Sequence, residues 1–498
     1  MKATISERKT TLVKMSLTES ENMKLKFTKK MFQIVLAVAF TTGLIIAQNT
    51  NEFDLSKGEV IERVKAKSDE MQSYALYLPK NYTPEKKWAI LYAFEPIARG
   101  KLPVMIYQEA AEKYGFIVVG SYNSQNGLDG QKLAQVLNTL WTDTHQRFSI
   151  DENRVYATGF SGGARVASIF AASCGCATGV IGSGAGFSSN LKPSPDLPFI
   201  YYSAIGFDDY NYYEIRALKK LLEKANVTHR VERFDGVHQW LTKPVAENAL
   251  AWMQLYAMKK GVLPKDEKFI DDTFQARIIR AESYFTNQQF LEAFQDFSDI
   301  VRDYSGLKDI EELEKRVENL KKSKELKKSF QAEEDQISHQ ERHANFLMTG
   351  LNRMQNADDK VSVLQEMRAY ISRLQKIADG KEDSSERRIA RRSLNKVFAE
   401  TYETALFRYE REKKYDLALL NFEMANEIYP KNFRIPYDRA RVYALSGNKK
   451  KALEFLAKAI ELGFKNFQEV ENEKGFEKIV QDEKFQQILS QIKNIKTK

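Results

Sequence analysis

Gly159-Phe160-Ser161-Gly162-Gly163 sets a serine among glycines in the pattern G-x-S-x-G. A serine hydroxyl is a poor nucleophile until a histidine takes its proton and a carboxylate orients that histidine. Both partner types occur downstream. Gly206-Phe207-Asp208-Asp209-Tyr210-Asn211-Tyr212 offers the acid, and Asp235-Gly236-Val237-His238-Gln239-Trp240 offers the base. Serine, acid, histidine is the order expected when the three sit on loops after successive strands of one sheet. His145 precedes the serine and His229 stands at the mouth of a strand-like run, which leaves His238 as the base. The chemistry of such a set is acyl transfer: attack on a carbonyl, an acyl-enzyme, and release of the acid by water.

These side chains need a frame that brings distant loops to one edge. Arg154–Thr158 reads as a strand entering the serine turn, and Ala164–Phe170 as a helix leaving it. The first N–H groups of that helix would face a developing oxyanion. Trp88–Phe94, Phe116–Tyr122, Gly179–Gly182 and Phe199–Ile205 are further apolar runs of strand length. Val104–Tyr114, Leu133–Phe148 and Tyr213–Ala225 are amphipathic at helical spacing. Alternation of this kind predicts an α/β fold, a parallel sheet with helices on both faces. The β signal stops after Gly261, and Gly261–Lys265 is the expected boundary. The expected domains are residues 53–261 for the sheet, 268–378 for a helical region, and 386–498 for a second helical region after a polar hinge at Asp379–Ser385.

Residues 53–261 resemble an α/β-hydrolase of the polyhydroxyalkanoate-depolymerase, feruloyl-esterase and carboxylesterase branch. The likeness rests on Gly159–Ala164, on Gly206-x-x-Asp209 with Asn211-Tyr212, and on Phe234-x-Gly236-x-His238-x-Trp240. It implies Ser161 as nucleophile, Asp209 as orienting acid with Asp208 as the substitute, and His238 as general base. Relatives commonly carry His-Gly after the strand that is Trp88–Phe94 here, and the loop supplies the second oxyanion N–H. This chain has Phe94-Glu95-Pro96-Ile97 instead. Gly162 can give the first donor; the second would come from Glu95, Ile97 or nothing, since Pro96 has no N–H. The Glu95 side chain is expected to cap the next helix. Trp240, Tyr210 and Tyr212 could stack on an acyl group or pack beneath the loops. The absence of a long insertion between the catalytic strands suggests an open site. Cys174 and Cys176, one glycine apart, read as buried thiols, and Gly182–Gly186 as a strand-end turn.

The helical part resembles tetratricopeptide repeats. Ala418 and Ala452 are 34 residues apart, and the same offset pairs Tyr409 with Tyr443, Phe422 with Leu456, Ala425 with Ala459 and Leu406 with Ala440. An earlier copy is read over Ala281, Tyr284, Ala293, Phe297 and Ile300. The resemblance implies a protein partner docked by the repeats. His339 and His343 share a helix face, but Gln340 stands where a zinc-protease pattern needs Glu, so no metal site is expected.

Composition narrows the remaining choices. The 498 residues carry 76 Lys+Arg against 67 Asp+Glu, a net charge of +9. Residues 1–30 hold eight of the basic and three of the acidic side chains, so most of the excess is local. No nucleic-acid partner is expected. Lys24–Lys30 followed by the apolar run Met31–Ala47 reads as a signal peptide, with residues 1–47 removed and no membrane span after cleavage. An uncleaved anchor is the alternative. The expectation is thus an exported serine hydrolase, periplasmic, envelope-bound or secreted, that needs no cofactor and acts on small or polymer-borne esters. Its rivals are an envelope scaffold with a degenerate hydrolase domain and a serine peptidase.

Overall fold

Trp88–Phe94 (β3) is apolar at every position and buried at every position, as a strand covered on both faces must be. Its side chains alternate: Trp88, Ile90, Tyr92 and Phe94 enter one hydrophobic cluster, Ala89 and Leu91 another. The computed structural model that shows this describes residues 55–356 and 360–495. The expected signal peptide lies outside the described residues.

Seven further strands join β3: Val60–Lys65 (β1), Ser73–Tyr77 (β2), Phe116–Ser121 (β4), Ile150–Phe160 (β5), Gly179–Ser183 (β6), Ile200–Gly206 (β7) and His229–Phe234 (β8). The sheet order is β1-β2-β4-β3-β5-β6-β7-β8. From β4 to β8 neighbours run parallel; β1 and β2 are antiparallel additions at one edge. Lys101–Tyr114 (α1) and Lys243–Lys259 (α5) pack into the Leu91 face. Gly130–Arg147 (α2) and Gly162–Cys174 (α3) pack into the Tyr92 face. Tyr212–Lys224 (α4) lies between β7 and β8 in the chain. The expected layering of helices on both faces of a sheet is present, but the sheet is mixed rather than wholly parallel because β1 and β2 run antiparallel at its edge. The parallel strands read from sequence are present within one to four residues of their expected ends. The reading missed β1 and β2: Val60-Ile61-Glu62-Arg63-Val64-Lys65 is half-exposed and charged, so it carries no apolar run.

Two compact units are found. The first runs to Phe207 and again over Tyr212–Leu326; the second comprises Asp208–Asn211 and Lys327–Lys498. The loop at Gly261–Lys265 is real, but the first unit continues beyond it through Glu267–Thr286 (α6), Phe290–Tyr304 (α7) and Glu311–Lys322 (α8). Ala281, Ala293, Phe297 and Ile300 pack between these helices together with Leu255 of α5. A buried carboxylate fastens them. Asp303 accepts from Trp252 Nε1 (3.0 Å), Tyr256 Oη (2.9 Å) and Arg277 Nη1 (2.6 Å). Burial opposes its ionisation, but the guanidiniums of Arg302 and Arg277 override that and hold its carboxyl well below the usual range.

The second unit is helical: Lys324–Asn356 (α9, beginning just before the boundary), Lys360–Ala378 (α10), Ser385–Glu403 (α11), Tyr415–Ile428 (α12), Arg434–Leu445 (α13), Lys449–Glu461 (α14), Phe467–Asn472 (α15) and Glu483–Ile495 (α16). Ala418, Phe422 and Ala425 are buried against Ile435 and Val442, and Ala452, Leu456 and Ala459 against Ala440 and Ala444. His343 Nδ1 lies 2.7 Å from the Tyr370 hydroxyl. Among the described residues no helix is long and apolar enough to cross a membrane.

The cysteines correct the sequence reading. Cys174 and Cys176 form a disulfide and are half-buried rather than buried thiols. Gly175 ends α3 in the left-handed region (φ 63°), which folds the chain back and leaves the two Cα atoms 5.0 Å apart. That separation lies inside the range an ordinary disulfide spans.

His229 opens β8 with 3% exposure. Its Nδ1–H donates to the Val227 carbonyl at 2.8 Å, and Nε2 is buried without a partner. Burial first, and the nearby Arg302 charge second, depress its pKa below the usual imidazole value. The unfolded chain therefore takes up the proton more readily, and stability falls as pH drops below about 6.5, by at most about 1.4 kcal/mol per pH unit for this group. Melting temperature should decline between about pH 7 and pH 5, with a shallower slope in His229→Gln than in the parent protein.

Candidate active site

β5 ends at Phe160 and α3 begins at Gly162, so a single residue makes the turn. That residue is Ser161, with φ 52° and ψ −119°. A non-glycine residue in this region costs on the order of 1–3 kcal/mol and persists only where its surroundings enforce it. The enforcement is visible. Ser161 N–H donates to the Ser183 carbonyl at 2.8 Å. On either side Gly159 pairs with Phe94 of β3 and Gly182 of β6. α3 then leaves so close to the sheet that a Cβ on Gly163 would stand 2.0 Å from the Phe94 carbonyl oxygen.

The candidate base, His238, stands on the loop after β8. His238 Nε2 is 3.0 Å from Ser161 Oγ, within reach for proton transfer from the hydroxyl. Its ring packs on Phe160, centroids 4.7 Å apart. The loop is tied down by Ser183 at the end of β6. The buried Ser183 hydroxyl accepts from Leu241 N–H at 2.8 Å and lies 3.3 Å from the Gln239 carbonyl. One residue thus fastens both the Ser161 turn, through its carbonyl, and the His238 loop, through its hydroxyl. Nothing in a glycine-rich strand-end segment marks that role, and the sequence reading passed over it.

The acid loop begins one residue past β7, which pairs in parallel with β8. Within the second unit Asp208 and Asp209 differ sharply. Asp208 accepts from Arg391 Nη1 at 2.9 Å, whereas Asp209 is fully buried and accepts from Asn211 N–H at 2.8 Å. Asp208 is therefore occupied by an ion pair.

The segment after β3 is organised by the Glu95 side chain, which is fully buried. Its carboxylate accepts from Ile97 N–H (2.8 Å), Arg99 N–H (3.2 Å) and the Arg99 guanidinium. It caps this turn rather than the helix that follows. The Ile97 amide is thereby committed and cannot serve an oxyanion. The Glu95 amide lies 3.2 Å from the place a Gly163 Cβ would take, beside the start of α3. Gly162 is the first residue of that helix, where backbone N–H groups have no intrahelical acceptor. The Asn126 carboxamide covers Gly162, its Oδ1 1.9 Å from an added Cβ. Asn126 is a polar neighbour that sequence reasoning missed, because Asn126-Gly127 reads as an ordinary turn.

Of the three aromatic candidates, Trp240 is a buried core residue. It packs on Phe160 (centroids 5.9 Å) and joins Tyr202 and Trp252, so packing prevails over stacking on a ligand. Tyr210 and Tyr212 are half-buried. A cavity of about 400 Å³ lies at the amino-terminal ends of β6 and β7, lined by Thr178, Ile200 and Thr228, and contains none of these candidates.

No protein-family profile and no curated protein matches the chain. Among solved structures it is similar to an S-formylglutathione hydrolase from Staphylococcus aureus, at 16% identity and a TM-score of 0.32, over 39% of this chain and 96% of that one. It is likewise similar to a ferulic acid esterase from the anaerobic fungus Anaeromyces mucronatus, at 15% identity and a TM-score of 0.31, over 40% of this chain and 91% of that one.

Two substitutions test the support of the site. Ser183→Ala leaves the backbone bond to Ser161 intact but strands the buried Leu241 amide, and should cost about 1–3 kcal/mol in denaturant unfolding. Glu95→Ala removes the acceptor of two backbone amides and should cost about 2–4 kcal/mol in the same measurement.

Proposed function

We propose that the chain is a serine hydrolase that cleaves carboxylic esters. The observation that carries this reading is the 3.0 Å contact between Ser161 Oγ and His238 Nε2 at a strained strand-to-helix turn. In this mechanism His238 takes the hydroxyl proton as Ser161 attacks the ester carbonyl. The imidazolium then passes the proton to the departing alkoxide. Water, deprotonated by the same imidazole, releases the acid. Asp209 is the orienting carboxylate: it is buried, sits on the loop after β7, and its neighbour Asp208 is engaged by Arg391. The amides of Gly162 and Glu95 are the oxyanion donors, with Ile97 excluded by its bond to Glu95. Tyr210 and Tyr212 flank the acyl group. No step calls for a cofactor.

The same proposal has the chain exported by its N-terminal segment. The helices of the second unit, tetratricopeptide-like in the 34-residue spacing of buried Ala418 and Ala452 and of Ala425 and Ala459, would dock a protein partner. A panel of aryl, acetyl-sugar and hydroxyalkanoate esters tests the central step. Ser161→Ala and His238→Asn should each lower kcat by about 10⁴-fold or more, and Asp209→Asn by about 10³–10⁴-fold. Turnover that survives Ser161→Ala would refute the assignment.

A further inference from the structure

Arg230 on β8, together with Arg277 and Arg280 on α6, lines a cavity of about 160 Å³ between β8, α5, α6 and α7. Among the described residues the charged side chains on its wall are these three guanidiniums; the rest is Asn248, Thr273 and apolar or aromatic groups. Arg230 and Arg277 each spend one side on a carboxylate, and Arg280 at the rim faces two. Arg230 Nη2 pairs with Glu232 at 3.1 Å, Arg277 Nη1 with Asp303 at 2.6 Å, and Arg280 with Asp296 at 2.6 and 2.7 Å. Arg280 Nη1 also lies 3.4 Å from Glu232. The other sides of Arg230 and Arg277 are unspent. Arg230 Nε and Arg277 Nε and Nη2 are buried with no hydrogen-bond partner, on side chains only 4% and 7% exposed.

Leaving such donors unanswered is costly, more so when they belong to charged groups. Across the whole network Arg230, Arg277, Arg280 and Arg302 face Glu232, Asp296, Asp299 and Asp303. Lys259, whose Nζ donates to the Arg302 and Asp303 carbonyls, tips the balance to positive. The volume holds several waters, at about 30 Å³ each, or one small oxyanion. Arginine forks suit an oxyanion with several acceptor oxygens better than a point charge does. We propose that this cavity is a binding site for a small oxyanion of the phosphate class, held by Arg230, Arg277 and Arg280. Seated there it joins β8, the strand that leads to the His238 loop, to helix α6. The proposal stands independently of the ester chemistry.

The test is isothermal titration of the full-length protein with inorganic phosphate, with sodium chloride at matched ionic strength as the control, alongside thermal melting. Phosphate should bind with one-to-one stoichiometry and raise the melting temperature, and chloride should do neither. Arg280→Gln, at the more exposed rim, and Ala251→Met, which fills the cavity without touching a charge, should each weaken phosphate at least tenfold. Without phosphate, Ala251→Met should melt within a few degrees of the parent, whereas Arg280→Gln, which takes the partner from the buried Asp296, should melt lower. Absence of a phosphate response in the parent protein, or binding by both variants as tight as the parent's, would overturn the proposal.

Discussion

The site depends on where β6 stops. Ser183, its last residue, offers a carbonyl to the Ser161 amide and a hydroxyl to the loop that carries His238. The first bond helps hold a serine in a backbone region that costs on the order of 1–3 kcal/mol. The second fixes the loop beside Gln239, the residue after His238. Because β6 is hydrogen-bonded to β5 and β7 on its two sides, any shift in its register would move Ser161 and His238 together. The Ser161–His238 contact is therefore a property of the sheet, and the loops inherit their precision from it.

The parts of this arrangement that were legible share a physical cause. Strands covered on both faces must be apolar throughout, so Trp88–Phe94 and Phe116–Ser121 announce themselves. A turn with a serine pressed against neighbouring backbone needs glycines around it, so Gly159 and Gly163 mark the candidate nucleophile. What stayed hidden depends on contacts between distant residues. β1 carries three charged residues, and only its pairing with β2 makes it a strand. Ser183 looks like any residue of a glycine-rich turn. The disulfide needs Gly175 in a left-handed conformation, which two cysteines one residue apart do not reveal. Trp240 sits in a loop motif, yet its indole serves the core.

The expected boundary after Gly261 shows the same distinction at a larger scale. The glycine and proline there do break the chain, but a break in secondary structure is not a break in packing. Asp303 on α7 receives hydrogen bonds from Trp252 and Tyr256 on α5 and from Arg277 on α6, and Leu255 shares a cluster with Phe297 and Ile300. Isolating a buried carboxylate among three donors would be costly if the helices separated. The first unit accordingly includes helices that composition alone assigns to the other half.

The central claim, that His238 makes Ser161 nucleophilic, is tested most directly by intact-mass and peptide mapping after treatment with a fluorophosphonate. The account predicts one adduct per chain, on Ser161, formed far more slowly in His238→Asn. An unmodified protein, or an adduct on any other residue, would contradict it.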